Sequence, residues 1–314
     1  MADKIATREA YGNALAELGA MYPDVVVLDA DLAAATKTGV FKKKFPERFF
    51  DCGIAEANMM GVAAGLATTG KIPFASTFAM FASGRAFDQV RNSIAYPHLN
   101  VKIGATHAGL TVGEDGASHQ CNEDIALMRS IPGMVILNPS DAIETRAAVE
   151  AAIKYNGPVY LRFGRYPVSI INDRPDYDFE IGKGIQMADG TDVTIVATGL
   201  MVEQALIARD KLAEEGISAA VINIHTIKPI DREILVAAAQ QTGAIVTAEE
   251  HNIIGGLGSA VCEVLSEVCP VPVVRFGMND EFGKSGAAKD LIEAYRFNAD
   301  GIIEKVKQVL HMKA

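Results

Sequence analysis

Residues 51–81 read DCGIAEANMMGVAAGLATTGKIPFASTFAMF. At Asp51-Cys52-Gly53-Ile54-Ala55-Glu56 a strand ends and a helix begins, which puts Glu56 in a first helical turn, where a carboxylate complements the helix dipole. The run from Asn58 to Ala67 is nearly all small or apolar, a composition suited to burial of the helix start against another surface. A carboxyl buried there resists ionisation. The periodicity predicts a helix over Glu56–Thr68 and a strand over Ile72–Ala75, so the segment is a strand, a helix and a second strand in succession.

The same alternation extends on both sides. Before it, apolar residues at helical spacing from Thr7 to Met21 lead into VVVLD (Val25–Asp29), a β-branched run typical of a buried parallel strand. After it, helices are expected at Arg85–Ile94, Asn122–Arg129 and Ala142–Lys154, and strands at Val101–Ala105, Met134–Leu137 and Val159–Leu161. These imply βαβ units around one covered sheet. The run YPVSIINDRPDYD (Tyr166–Asp178) breaks the periodicity with two prolines, one Asn and three Asp. A second, smaller α/β unit follows, built from DVTIVATG, AAVINI and AIVTAEE and the helical stretches between them. The expected organisation is a first domain over residues 1–170, a linker over 171–188 and a C-terminal domain over 189–314.

A chain of 314 residues is long enough for two cores, and its net charge of -10 disfavours nucleic-acid binding and adhesion to anionic membranes. The four cysteines form no CxxC pair, so neither a zinc site nor a disulfide framework is indicated. Asp3, Lys4, Arg8 and Glu9 stand where a secretory signal needs an apolar run, and the small-residue stretch Met59–Gly84 is interrupted by Lys71 and Pro73. A cytoplasmic chain acting on small molecules is the expectation.

Two further segments carry chemistry. In Ser76-Thr77-Phe78-Ala79-Met80-Phe81 two aromatics three apart would share a face if helical. Thr106-His107-Ala108-Gly109 then runs into Gly113-Glu114-Asp115-Gly116-Ala117-Ser118-His119-Gln120 immediately after an expected strand. Two histidines, two carboxylates and three glycines within fourteen residues are more than core packing asks for, and loops at the carboxyl ends of strands are where α/β sheets bind ligands. By contrast, Gly255-Gly256-Leu257-Gly258 has the wrong spacing for a dinucleotide fingerprint and reads as a tight turn into a helix.

GIAEANM, STFAMF, THAG with GEDGASHQ, and RSIPGMVILNPSD resemble the pyrimidine-binding domain of transketolases, and EEHNIIGGLGSAV resembles their C-terminal domain. ATREAYGNAL is similar to the point where that central domain starts in full-length members, and no GDG with a downstream Asn occurs to hold a diphosphate and its metal. The resemblance therefore implies one half of a split transketolase, with thiamine diphosphate as cofactor. Mg²⁺, or Ca²⁺, would be held mainly by an N-terminal partner subunit in an α2β2 heterotetramer. The activity implied is transfer of a two-carbon ketol unit between sugar phosphates, as in the pentose phosphate pathway.

Carried over residue by residue, the resemblance implies that Glu56 hydrogen-bonds N1′ of the aminopyrimidine and favours its imino tautomer. Phe78 and Phe81 would pack on the pyrimidine ring, with Gly84 standing where many members have another aromatic. His107 and His119 would contact sugar oxygens and help move protons, Asp115 would recognise the donor hydroxyl, and Arg8 and Arg162 would bind the sugar phosphate. Arg165 is a nearby cation without an assigned role, as is His251. Asp31 matches a carboxylate near the subunit interface. No metal ligand is expected in this chain. RAFDQV (Arg85–Val90) equally resembles 1-deoxyxylulose-5-phosphate synthase, and the β-subunits of 2-oxo acid dehydrogenases share the architecture. A noncatalytic module that keeps the fold is the alternative from another class.

Overall fold

The structure, a computed structural model, describes residues 4–313. Its first sheet contains β2 (Val25–Asp29), β3 (Phe49–Asp51), β4 (Ile72–Phe78), β5 (Lys102–Thr106), β6 (Val135–Leu137) and β7 (Val159–Arg162), all parallel. The alternation of side chains along VVVLD explains why both faces are covered. Val25 and Val27 pack with Leu15, Leu18 and Val149, from helices α1 (Thr7–Met21) and α4 (Ala142–Lys154), while Val26 and Leu28 pack with Met59, Met60 and Ala63 of α2 (Glu56–Thr68). A seventh strand, β12 (Thr226–Lys228), comes from the C-terminal part of the chain and pairs antiparallel with β6, giving the order β12-β6-β7-β5-β4-β2-β3. Between β5 and β6 lies the short helix α3 (Asp124–Arg129).

The second sheet has the order β14-β13-β10-β11-β9, from β9 (Ile185–Ala188), β10 (Val193–Ala197), β11 (Ala219–Asn223), β13 (Ile245–Asn252) and β14 (Val273–Met278). Only β9 runs antiparallel. Helices α5 (Met201–Glu214) and α9 (Ala299–Lys313) bury Ala205, Leu212, Ile302 and Val306 against one face; α6 (Arg232–Thr242) and α7 (Leu257–Val268) bury Leu235, Val261 and Leu265 against the other. The short α8 (Ala288–Ala294) adds Leu291 to the first of these cores. Helix starts are set by buried carboxylates. Asp231 accepts from Glu233 N and Ile234 N at α6, and Glu249 accepts from Leu257 N and Gly258 N at α7.

Three expectations need correction. The helix expected over Arg85–Ile94 is broken by π-helical turns at Phe81–Arg85 and Val90–Ala95, each accommodating an extra residue that apolar periodicity does not reveal. The expected linker, 171–188, ends inside the second sheet, because β9 pairs with β11; the run Tyr166–Asp178, which overlaps its start, contains β8 (Pro167–Ser169), paired with β1 (Lys4–Ala6). Phe78 is the last residue of β4 and Phe81 opens a π turn, so they do not share one helix face. Among the described residues no helix is long and apolar enough to cross a membrane.

Candidate active site

The carboxyl ends of β3, β4, β5 and β7 deliver the site, as expected for a parallel sheet. After β3, Gly53 (φ +68°) turns the chain into α2 and presents Glu56, which is 1% exposed. Among the described residues its one side-chain partner is Arg85, which sequence alone does not single out. Arg85 Nη1 donates to both Glu56 oxygens, at 2.8 and 2.9 Å, while its guanidinium lies 4.3 Å over the Phe81 ring.

Phe78 and Phe81 stack on each other, with centroids 5.7 Å apart and planes at 16°. The two histidines join them: His107 stacks on Phe78 at 3.8 Å, and His119 meets Phe81 edge-on at 5.5 Å. A Cβ at Gly84 would come within 2.5 Å of Met80 Cε, the far end of a flexible side chain that lies against this position. Phe78, Phe81, His107 and His119 thus form one ring cluster, joined to the Glu56 carboxylate through Arg85; this cluster at the carboxyl ends of the strands is the mouth of the site.

His107 directly follows β5 in a left-handed conformation (φ +56°), and its ring is held from both nitrogens. Arg8 Nη1 donates to Nε2 at 2.9 Å, which leaves Nδ1 as the protonated nitrogen, facing Thr106 Oγ1 at 2.9 Å. Burial, and after it Arg8 and Arg165, depress its pKa to about 3, so the imidazole is neutral at physiological pH. Arg8 also donates to Ala35 O at 3.0 Å, and burial lowers its pKa from the ordinary value without discharging a guanidinium. Lys37 (φ +70°) adds positive field from the loop that Asp29 organises by accepting from Leu32 N, Thr36 and Thr38. Asp31, exposed on that loop, donates its N–H to Asp51 Oδ1 and stands outside the histidine cluster. On the histidine loop, Asp115 is exposed, and His119 Nδ1 faces Ser118 Oγ at 2.9 Å.

Arg162 takes no place in this cluster. It is 3% exposed, its Nε donates to Asp124 at 3.2 and 2.9 Å, and its Nη2 donates to Glu250 O at 2.9 Å. As the last residue of a strand buried along its whole length it faces the core, where Asp124 neutralises it. Arg165, three residues on in the loop after β7, is the cation that reaches the mouth. It donates to Val112 O and to Glu114 Oε2 at 3.0 Å, and its field acts on both Arg8 and His107. Arg162 ends the strand, where Asp124 draws it inward, whereas Arg165 lies beyond the carboxyl end.

Two family models match the chain: "Transketolase, pyrimidine binding domain" over residues 3–168 and "Transketolase, C-terminal domain" over residues 182–302. The chain belongs to the transketolase family. Among curated relatives, a "Putative transketolase C-terminal section" of Methanocaldococcus jannaschii is 52% identical over 96% of this chain and 95% of its own length. A 6-deoxy-6-sulfo-D-fructose transketolase subunit from a Clostridium species is 45% identical over 98% of this chain and 95% of its own length. A solved structure described as "Split gene transketolase, inactive beta4 tetramer" superposes with a TM-score of 0.92 at 57% identity, covering 99% of this chain and all of that one. Membership in this thiamine-diphosphate-dependent family fixes which domains these are: transketolase's pyrimidine-binding domain carries the mouth described above, and its C-terminal domain packs against it.

Proposed function

We propose that the chain is the C-terminal subunit of a split transketolase, moving a two-carbon ketol unit from a ketose phosphate to an aldose phosphate. The observation that carries this reading is the buried Glu56 carboxylate, reached through Arg85 over the Phe81 ring, beside the stacked Phe78 and Phe81, with His107 stacked on Phe78 and His119 edge-on to Phe81. These residues fit an aminopyrimidine: a carboxyl for a ring nitrogen and two rings for a planar heterocycle. When bound, thiamine diphosphate supplies an electron sink for the two-carbon unit. Glu56, Phe78 and Phe81 would hold its pyrimidine, and the diphosphate and Mg²⁺ fall to the N-terminal subunit. His107, neutral and fixed by Arg8, offers a sugar hydroxyl a positioned imidazole, and His119 faces the same space. Asp115 supplies the carboxylate for a donor hydroxyl. Arg8, Lys37 and Arg165 form the cationic rim for the anionic tail of the sugar. The reading places the protein in the cytoplasm, with its sugar phosphates.

A partner subunit also fits the surface beside the mouth. Ile54, two residues before Glu56, is 77% exposed, and a Cβ at Gly61 or Gly65 on α2 would meet nothing within 4 Å. This leaves a smooth helix face on which another chain can seat closely, in keeping with an α2β2 assembly. The decisive assay uses the chain alone and mixed with an N-terminal subunit carrying GDG and a downstream Asn, with thiamine diphosphate, Mg²⁺, xylulose 5-phosphate and ribose 5-phosphate. Glyceraldehyde 3-phosphate forms only in the mixture. Its absence there would overturn the reading, and consumption of pyruvate instead would move the chain to the synthase class.

Two consequences follow at the rim and the base. Arg165→Met raises KM for ribose 5-phosphate by about tenfold, the effect of one charge-assisted contact, while the rate with unphosphorylated ribose is unchanged. An equal effect on both sugars would remove Arg165 from the anion site. Arg85 and an aminopyrimidine compete for Glu56 and Phe81, so the guanidinium must leave before the cofactor seats. Arg85 is half exposed, so water screens its end of the pair and takes up the guanidinium when it swings aside, although Glu56 itself is buried; the cost of displacing it is on the order of 1 kcal/mol. Calorimetric titration of the reconstituted complex carrying Arg85→Ala is therefore expected to give thiamine diphosphate binding up to about fivefold tighter. Weaker binding would mean that Arg85 assists the cofactor.

A further inference from the structure

The loop that carries His107, Asp115 and His119 belongs to the pyrimidine-binding domain by sequence but is held in place by the other domain. At its start, Gly109 (φ +82°) lies so close to Glu250 that a Cβ would stand 2.4 Å from the carboxyl carbon, and Thr111 N donates to Glu250 Oε1 at 2.6 Å. Leu110 between them is buried in the core of the C-terminal domain with Met278 and Leu291. At its end, Gln120, 3% exposed, donates from Nε2 to Leu110 O and Gly113 O within the loop, both at 3.2 Å, and to Lys284 O of the C-terminal domain at 2.9 Å. The turn around Lys284 fits the loop with no spare room: a Cβ at Gly283 would stand 1.9 Å from Gln120 Oε1, and one at Gly116 would stand 2.3 Å from Ser285 Oγ.

We infer that the C-terminal domain is part of the sugar-recognition apparatus, and that Gln120 is the positioning residue through which the 283–285 turn sets His119. The inference rests on the reading of this loop as the one that meets the sugar. One amide closes the loop on itself and ties it to the neighbouring domain, and His119 is the adjacent residue. A displacement of about 1 Å at such a group can cost up to about 100-fold in the productive complex, whereas Glu56, Phe78 and Phe81, the residues read as holding the pyrimidine, lie outside the loop.

The test uses the reconstituted two-subunit enzyme. Gln120→Met keeps the shape and removes the donors; Gly283→Ala leaves Gln120 intact and pushes on it from the other domain. Both are expected to raise sugar KM at least tenfold, with thiamine diphosphate affinity within about twofold of wild type. Arg129→Met serves as the control, since Arg129 joins the same two domains at the far end of α3 through Gly255 O (2.8 Å) and Glu263 (2.5 Å), away from the loop; its KM stays at the wild-type value. An unchanged KM in Gln120→Met overturns the inference, whether or not Gly283→Ala folds. An equal rise in Arg129→Met also overturns it, by pointing to general loosening. Absence of ketol transfer in the wild type would instead remove the functional reading beneath it.

Discussion

Glu56→Gln is expected to abolish turnover, by at least about 10³-fold, in a subunit that folds and joins its partner normally. Gln has the same shape and still offers an oxygen to Arg85 at the base of the mouth, so neither α2 nor its packing changes. The substitution removes the ability to share a proton with a ring nitrogen, which an amide cannot do at any accessible pH. Because the side chain is sealed from water on the protein side, no solvent molecule stands ready to replace it. The check is ketol transfer by the reconstituted enzyme beside thermal unfolding and subunit association. Near-normal rates would take Glu56 out of the chemistry, whereas loss of folding would make it a structural carboxylate.

The second large effect is one of stability. Arg162→Met is expected to destabilise the pyrimidine-binding domain by about 3–5 kcal/mol, because it strands Asp124 in the core as an uncompensated charge. Asp124 is 0% exposed and is held by Arg162 and by the Tyr160 hydroxyl at 2.9 Å, so no water can take over. For a chain of 314 residues that unfolds as a unit, that amounts to a fall in Tm of roughly 5–8 °C. The surviving enzyme keeps its KM for sugar phosphate, the opposite signature to Arg165→Met. Replacing both partners, as Arg162→Met with Asp124→Leu, is expected to recover much of the loss. A raised KM with unchanged Tm would return Arg162 to the anion site.

These two arginines mark where sequence reasoning stops. VVVLD, VYL (Val159–Leu161) and most of the helices between them are legible because parallel strands covered on both faces leave β-branched runs with few alternatives. Glu56 and the histidine loop are legible because polar residues at strand-to-helix junctions mark the ligand side of such a sheet. Whether an arginine at a strand's end turns inward or outward depends on a buried Asp nearly forty residues upstream, and nothing local encodes that. The π turns are invisible for a related reason, since an inserted residue shifts the helix face without altering its composition. Arg85, Lys37 and Gln120 acquire roles only through partners brought near by the fold: Glu56, His107 and the turn around Lys284.

The short strand β12 has a thermodynamic consequence. Its three residues belong by sequence to the second half of the chain, yet they complete the edge of the first sheet beside β6. Melting either unit alone would strip backbone partners from the other, so the chain is expected to unfold in calorimetry as a single cooperative block, with van't Hoff and calorimetric enthalpies in agreement. The same stitching makes the halves poor candidates for separate expression. A fragment ending before residue 226 would carry β6 as a bare apolar edge, open to pairing with its neighbours in solution.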